Sequence, residues 1–468
     1  MKEMMINLDK NSNEALYIQL YKYLREEIKS NRIKKGTKLP SIRYLADYLK
    51  LSKITVDNAY QQLLIEGYIE SRERSGMYVQ EIEEMPFNSP KISKMTTSSP
   101  LSSNRIKYDF HYGSIDTESF DFNLWRRLTS KALKLSNGDL LQYGDHQGEL
   151  EFREEIVNYL RLSRGVLCSS SQVIITSGTQ NSLQLLCELI DNDDKSIAIE
   201  DPGWNISRFI FQKNNFKVTP TPLDKDGICL KTLREASPKF VYVTPSHQFP
   251  SGVVMPITRR QNLLKWARDT NAFIIEDDYD SEFRYIGRPI PSLQSLDEDE
   301  RVIYLGTFSK SLAPSLRISY MVLPKKLLDK YKENMSMYEQ PTSRLNQKTL
   351  QLFMSNGYWE RHVQRMRKIY RKKHNTLIKS IEYYLNDKVR LIGGNAGLHI
   401  LLEIRNGMPE DMIIQKTEMA GVRIYPTSKY WANNNNLDNP VFLIGFGCLS
   451  ENQIREGIEL LGEVLSNN

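Results

Sequence analysis

The chain opens with three stretches whose apolar residues repeat at helical spacing. Tyr17, Tyr21, Leu24 and Ile28 fall at i, i+4, i+7 and i+11, one face of a first helix that Lys35-Gly36-Thr37 breaks. Ser41 stands as N-cap before a second stripe of Ile42, Leu45, Ala46 and Leu49. After the tight connection Leu51-Ser52, Ser52 caps a third helix with Val56, Ala59, Leu63 and Leu64 inward. Gly67 ends it, as a residue in the left-handed conformation does. Tyr68–Ser71 and Met77–Gln80 then form two short strands around the tip Arg72-Glu73-Arg74-Ser75-Gly76. From about residue 108 the pattern changes. Short apolar runs (Val173–Thr176, Ser196–Glu200, Phe240–Thr244, Phe273–Glu276, Val302–Gly306 and Ile318–Leu323) alternate with helical segments such as Thr258–Asp269. That alternation predicts an α/β fold with a mainly parallel sheet and helices on both faces. From about 342 a long helical stretch runs to Leu385. Strands near 397–404 and 441–447 and a helix over Glu451–Leu465 follow, predicting a smaller C-terminal α+β domain.

Between these patterns lies PFNSPKISKMTTSSPLSS, residues 86–103, dense in Ser, Thr and Pro. Such a segment cannot bury enough apolar surface to offset its ordering entropy. The expected organisation is a folded domain over 1–81, a flexible linker over 82–107 and a second folded region over 108–468. The last divides into a large part, about 108–340, and a small part, about 341–468. No stretch reaches the roughly 18 apolar residues of a membrane span. The start MKEMMINLDK lacks the apolar centre of a secretion signal, so a cytoplasmic location is expected. Cys168, Cys187, Cys229 and Cys448 form no C-x-x-C pair; they are read as free, mostly buried thiols, and no metal site is expected. The formal net charge is +6, and residues 1–80 hold 14 Lys and Arg against 10 Asp and Glu. Most of the basic excess therefore sits in the first sixth of the chain, as a polyanion partner would require.

Two helices joined by a short turn, the second capped by Ser52, have helix-turn-helix geometry. The exposed side of the third helix carries Lys53, Ile54, Thr55, Asn58 and Gln61. Lys53 and Thr55 suit phosphates or base edges, and the amide of Asn58 suits adenine. Arg72 and Arg74 at the hairpin tip suit phosphate, as does Arg43 one turn into the second helix. The stretches Gly36-Thr37-Lys38-Leu39-Pro40-Ser41-Ile42-Arg43, Leu51–Val56, Ala59–Leu63, Glu66-Gly67-Tyr68 and Gly76–Val79 resemble the GntR-type winged helix over residues 14–80. An Arg usual in that family is Lys53 here, which bears on base preference. The resemblance implies a double-stranded DNA operator as partner, contacted by Pro40, Ser41, Arg43, Ser52, Lys53, Ile54, Thr55, Asn58, Arg72 and Arg74. The plainer alternative is a small helical domain that uses this face to bind protein.

The richest later segment is Ile274-Ile275-Glu276-Asp277-Asp278-Tyr279, followed 33 positions after Asp277 by Lys310 in Tyr304-Leu305-Gly306-Thr307-Phe308-Ser309-Lys310-Ser311. Each apolar run is a buried strand, and its polar tail emerges at the carboxyl edge where open α/β sheets bind ligands. Pyridoxal 5′-phosphate chemistry needs such a set: an amine for its aldehyde, a carboxylate for its ring nitrogen, a phenol for its ring oxygen, and a cup for its phosphate. Ser177-Gly178-Thr179-Gln180 lies between a strand and a helix, Thr307 and Ser309 flank the lysine, Arg317 lies seven residues beyond it, and Trp204 could stack on the ring. Taken singly each has a blander reading: a surface lysine, a core Trp, an Asp that caps a helix, an ordinary strand–helix turn.

Taken in order, residues from about 108 to 466 resemble fold-type I aminotransferases, and the whole chain resembles the MocR-type regulators of the GntR superfamily. Tyr143–Gly148, Arg164-Gly165-Val166, Thr244–Gly252, Glu276–Tyr285 and Thr307–Leu312 carry the resemblance. It implies that Lys310 bonds the cofactor aldehyde, Asp277 pairs with the pyridine nitrogen and Tyr279 donates to the ring oxygen. It places Gly178, Thr179, Gln180, Thr307 and Arg317 around the phosphate and Trp204 on the ring, with Ser309 beside the lysine among the cofactor-binding residues. His247 or Gln248 stands in for an absent Asn, and Tyr143 belongs to a segment that often reaches the neighbour's site in a head-to-tail homodimer. The same resemblance places an arginine where this chain has Cys448 and another where it has Ile206, with Arg208 close by. A neutral thiol cannot make the charge-assisted pair that holds a substrate carboxylate, about 1.5–3 kcal/mol per bond. The expectation is a regulator whose aminotransferase-like domain senses a small molecule, pyridoxal phosphate itself or an amine without a simple carboxylate. The alternatives are a working aminotransferase with a DNA-binding appendage and a scaffold that binds no cofactor.

Overall fold

In the computed structural model, residues 6, 8–9, 14–72, 75–81, 106–136, 138–191, 193, 195–285, 290–334, 338–394, 396–433 and 439–466 are described. They belong to two units, Met1–Leu101 and Ser102–Asn468. Of the linker expected over 82–107, all but the last two residues lie outside the described set.

The first unit holds helices α1 (Leu16–Lys29), α2 (Ile42–Leu49) and α3 (Lys53–Ile65) and the antiparallel hairpin β1 (Ile69–Arg72) and β2 (Gly76–Val79). Both expected caps form: Ser41 Oγ accepts from the Tyr44 amide at 3.2 Å, and Ser52 Oγ from the Thr55 amide at 3.1 Å. Each satisfies an amide that the first helical turn leaves without a backbone partner. Lys50, in the left-handed region at φ 52°, turns the chain from α2 towards α3. Leu20, Leu24, Leu45, Val56, Tyr60, Leu63, Ile69 and Val79 close one core. Tyr17, expected inside, is 37% exposed, and Leu20 takes the buried place on that face.

The second unit begins with β3 (Tyr108–Asp109), α4 (Phe122–Leu135), α5 (Leu150–Arg164), β4 (Val173–Thr176), α6 (Thr179–Leu189), β5 (Ser196–Asp201) and α7 (Asn205–Lys213). It continues through β6 (Lys217–Asp224), β7 (Gly227–Ile228), α8 (Leu230–Ala236), β8 (Phe240–Val243), α9 (Ile257–Thr270), β9 (Phe273–Asp278), β10 (Val302–Thr307) and β11 (Ser319–Val322). An eight-stranded sheet runs β4-β11-β10-β9-β8-β5-β6-β7. The register is parallel from β10 through β9, β8 and β5 to β6, while β11 runs against both its neighbours. The start of β11 therefore lies at the edge where the parallel strands end. One face of the sheet is covered by α6 and α7, through Leu183, Leu186 and Phe211, and the other by α5 and α9, through Ile156, Leu160, Leu263 and Trp266. The long strand β6 was not anticipated because of Pro220 and Pro222. It tolerates them because its outer neighbour β7 pairs only at Leu223 and Asp224, leaving the rest of that flank an edge.

The remainder comprises α10 (Lys325–Asn334), α11 (Arg344–Ser355), α12 (Tyr358–Tyr384), β12 (Val389–Ile392), β13 (His399–Ile404), α13 (Glu410–Met419), β14 (Val422–Arg423), β15 (Tyr425–Pro426), β16 (Val441–Gly445) and α14 (Glu451–Ser466). The single helical stretch expected from 342 to 385 is two helices: Asn356 and Gly357 separate them, Gly357 at φ 69°. A four-stranded antiparallel sheet, β12-β13-β16-β15, packs on α12, α13 and α14 through Tyr370, Leu402, Ile413, Phe442 and Ile458. Tyr108 and Phe110 enter that same core, because β3 pairs in parallel with β14. This draws the following residues, His111 to Gly113, towards the end of the large sheet.

Candidate functional site

At the carboxyl edge of the parallel strands lies a cavity of about 440 Å³. Its walls include Thr179 and Gln180 at the start of α6, Trp204 before α7, Asp277 and Tyr279 around the end of β9, and Thr307, Ser309, Lys310 and Arg317 between β10 and β11. All nine were named from the sequence.

Asp277 and Asp278 are consecutive on β9, so their side chains point to opposite faces. Asp278 faces the protein, where Arg164 Nε at 2.7 Å, Tyr304 Oη at 2.6 Å and Ser281 Oγ at 2.9 Å donate to it. Burial pushes that carboxyl up, yet the Arg164 guanidinium and these hydroxyls hold it below the usual carboxylate range. Asp277 faces the cavity. Tyr242 Oη donates to its Oδ2 at 2.5 Å, and its buried Oδ1 has no partner among the described residues. Burial pushes Asp277 up to about 7, the charges of Asp278 and Asp280 act the same way, and the Tyr242 bond opposes them. A buried carboxylate oxygen left without a donor costs free energy unless something supplies one.

Lys310 lies three residues past β10 and donates to the Tyr112 carbonyl at 2.9 Å. Burial lowers its amine to about 8, with Asp280 opposing. Gly178, between β4 and α6, stands at φ 116° and ψ 161°, a conformation nearly closed to residues with a side chain. A Cβ there would lie 2.1 Å from Arg317 Nη2, so the guanidinium sits directly over the bare backbone at the start of α6. The unpaired first-turn amides and positive end of α6, the guanidinium, and the hydroxyls of Thr307 and Ser309 make this corner an anion site. Thr307 Oγ1 is fixed by Ser309 N at 3.1 Å and Ser319 Oγ at 2.8 Å. Orphaned Asp277 Oδ1 at one end and the Gly178 cradle at the other fit a pyridoxal phosphate between them.

Two expectations fail on placement, those for Gln248 and His247. Gln248 does not enter the cavity: its amide nitrogen donates to Glu200 and to the Pro202 and Phe249 carbonyls, and its oxygen accepts from Ser251, so the turn uses its bonding groups. His247 does not line it either. Its Nδ1 lies 2.9 Å from Asp280 Oδ2 and 3.0 Å from the Tyr279 hydroxyl, and it braces both residues from behind. Tyr143 is 84% exposed beside a separate hollow with Arg344, away from its own chain's cavity, and its expected place was a neighbour's site. Tyr279 lines the cavity, with its hydroxyl donating to the His247 carbonyl at 3.0 Å.

Other walls were not foreseen: Tyr112, Tyr242, Thr244, Phe249, Asp280 and His399. Burial keeps His399 well below the usual imidazole range, neutral at pH 7, and the nearby His247 and Lys310 add to this. Ile206 faces the cavity. Arg208 does not: it bonds Asp201 at 3.4 Å and the Tyr430 carbonyl at 2.9 Å. Cys448 is exposed and its thiol lies 3.7 Å from the Asp109 carbonyl. Among the described lining residues, Lys310 and Arg317 are therefore the cationic side chains. Of the four free thiols only Cys187 is fully buried.

In the first unit, Lys53, Ile54 and Asn58 lie exposed on the outer side of α3, and Arg43 is exposed on α2. Thr55 Oγ1 is held by Ser52 Oγ at 2.8 Å, and the Pro40 carbonyl accepts from Tyr60 at 3.0 Å, so those positions shape the turn. Arg72 stacks on Tyr78 at 4.4 Å and pairs with Glu70 at 2.7 Å. Arg74 lies outside the described residues.

Comparison with known proteins agrees with both halves. Residues 16–79 match the model of bacterial regulatory proteins of the gntR family, and residues 109–434 that of aminotransferase class I and II. The chain is 44% identical over 458 residues to the HTH-type transcriptional regulator YdeL of Bacillus subtilis (strain 168), covering 97% of each. It is 32% identical to the probable rhizopine catabolism regulatory protein MocR of Rhizobium meliloti, covering 98% of this chain and 95% of that one. A crystal structure of Pyrococcus horikoshii kynurenine aminotransferase, in complex with PMP, superposes with a TM-score of 0.69 at 25% identity, over 78% of this chain and 91% of that one.

Proposed function

The chain belongs to the MocR-type regulators, a GntR-family winged helix joined to a class I and II aminotransferase domain, and from that premise we propose that it senses a small molecule through pyridoxal 5′-phosphate held at Lys310. It is a DNA-binding transcription regulator, and among the described residues no helix is long and apolar enough to cross a membrane. The proposed division is a DNA reader over 1–81, a linker over 82–107 and the sensing region over 108–468, acting in the cytoplasm as a homodimer on two half-sites. A twofold assembly reads a twofold operator.

One observation carries the cofactor assignment: the unpartnered Asp277 Oδ1 shares its cavity with a lysine amine whose pKa burial has lowered to about 8. When bound, the cofactor supplies an aldehyde for amines and an electron-accepting ring. Lys310 offers a partly neutral nucleophilic amine near pH 7–8. Asp277, kept in line by Tyr242, would hold a proton on the ring nitrogen through Oδ1. Trp204 would stack on the ring and Tyr279 would donate to its oxygen, while Arg317, Thr307, Ser309 and the amides of Gly178, Thr179 and Gln180 would hold the phosphate. Because both cationic lining residues already have these roles, a carboxylate effector finds no free guanidinium. The effector is pyridoxal phosphate itself or an amine without a simple carboxylate. A ligand shifts DNA binding only through its differential affinity for two arrangements of the dimer.

The test is covalent capture. Wild-type protein incubated with pyridoxal phosphate and then borohydride gains one adduct, on the peptide containing Lys310; Lys310→Ala gains none there, still binds DNA, and loses its effector response. Colourless protein with no adduct, or an unchanged response in the variant, defeats the assignment.

A further inference from the structure

The sensing unit has a second, larger hollow of about 1000 Å³ that shares no lining residue with the cofactor cavity. Arg126, Arg127, Lys131 and Lys134 from α4 face it, with Arg361 and Arg365 from α12. All six are exposed. Their hydrogen bonds go to neutral groups: Arg126 to Asn123 at 3.2 Å, Arg127 to Tyr358 at 3.4 Å, Arg361 to the Gly357 and Asn356 carbonyls at 2.9 and 3.1 Å, and Arg365 to the Ser119 carbonyl at 2.8 Å. No ion pair engages any of the six among the described residues. The one acid in the lining, Asp121, caps α4 by accepting from the Leu124 amide at 2.9 Å.

The basic surface continues along α12. Arg361, Arg365, Lys368, Lys372 and Lys379 recur at i, i+4, i+7, i+11 and i+18, and all are exposed. At 1.5 Å per residue that stripe is about 27 Å long. Beyond residue 80 the chain is nearly neutral, with 49 Lys and Arg against 47 Asp and Glu. The hollow, with six Lys and Arg against one Asp in its lining, departs from that balance. Uncompensated like charges at this density repel one another, and a polyanion relieves that repulsion.

We infer that this face is a second DNA-binding surface, which takes the phosphates of duplex DNA without reading sequence. A duplex presents one charge per roughly 1.7 Å of axis, so a 27 Å stripe matches about eight base pairs of backbone. Duplex is favoured over other polyanions because the same chain carries a winged helix, which keeps DNA at high effective concentration near the unit.

The experiment uses the full chain with Arg126, Lys131, Lys134 and Arg365 all changed to Gln. Each phosphate contact contributes about −0.9 to the slope of log affinity against log salt, so losing four should flatten that slope by roughly 3–4 on a long duplex. Cofactor capture at Lys310 stays at the wild-type level. A counterpart with Arg126→Lys and Arg365→Lys alone keeps the wild-type slope, since point charges suffice for phosphate. An unchanged slope in the glutamine variant overturns the inference, and so does a lysine counterpart as deficient as the glutamine variant. Loss of binding to phosphatidylglycerol–phosphatidylcholine vesicles with the DNA slope unchanged assigns the face to a membrane and overturns it too.

Discussion

Gly178→Ala is a sharp test of the phosphate corner because the structure sets its size. The new methyl would stand 2.1 Å from Arg317 Nη2 and 2.9 Å from its Cζ. To restore ordinary contact the guanidinium must retreat by about 1.3 Å or more. Arg317 can make that room only by swinging its side chain, which takes the guanidinium off the Gly178 cradle. A charge-assisted hydrogen bond contributes about 1.5–3 kcal/mol. At about 1.4 kcal/mol per decade, losing one such bond weakens pyridoxal phosphate binding about 10- to 150-fold. The backbone at φ 116° and ψ 161° adds about 1–3 kcal/mol of strain to the folded protein. Equilibrium titration of apo protein with pyridoxal phosphate, followed by visible absorbance, reads the first effect, and thermal unfolding of the apo protein reads the second. Arg317→Ala, which makes room for the methyl, should rescue the stability of Gly178→Ala in part and its cofactor affinity not at all. A Gly178→Ala protein that binds the cofactor within twofold of wild type would refute this account of the corner.

Other outcomes follow from the same site. Burial sets the Lys310 amine at about 8, and only the neutral amine attacks an aldehyde. The rate of covalent attachment to apo protein should therefore rise about tenfold per pH unit below 8 and level off above it; a flat profile between pH 6 and 8 contradicts that amine's placement. Asp277→Asn should have opposed effects. Burial raises Asp277 to about 7, so folding favours its protonated form and apo stability falls as pH rises from the unfolded carboxyl range through 7. The Asn variant escapes that cost and should gain roughly 1–3 kcal/mol at pH 8, measured by denaturant unfolding, while binding the cofactor at least about tenfold more weakly. Ser52→Ala removes the cap that holds Thr55 N at 3.1 Å and should cost about 1 kcal/mol in the winged helix, seen as weaker DNA binding at fixed salt.

How much of this could be seen in the sequence depended on how far apart the partners lie. Ser41 and Ser52 were legible as caps because a cap bonds residues three positions away. Asp277, Lys310, Gly178 and Arg317 were legible because each lies at or just beyond a strand's end, and those ends meet at one edge. Tyr242 and Tyr112 were not. Tyr242 meets Asp277 only because β8 lies beside β9, and Tyr112 meets Lys310 only because β3 pairs with β14 in the small part. No local pattern encodes either adjacency. Gln248 erred the other way: its amide had suitable chemistry, but the turn after β8 consumes it internally. The break at Gly357 was missed because the apolar rhythm of α11 resumes in α12 almost in phase.

The reversed strand β11 has a consequence of its own. A one-way sheet can deliver only strand tails to its carboxyl rim, one per crossing. By doubling straight back after β10, the chain brings a strand's beginning to that rim, so a single excursion from Phe308 to Ile318 carries both an exchangeable anchor, Lys310, and a fixed counter-charge, Arg317. The two are tethered within seven residues of each other on one loop. Lengthening that loop by even one residue would separate handle from clamp while leaving every strand of the sheet in place.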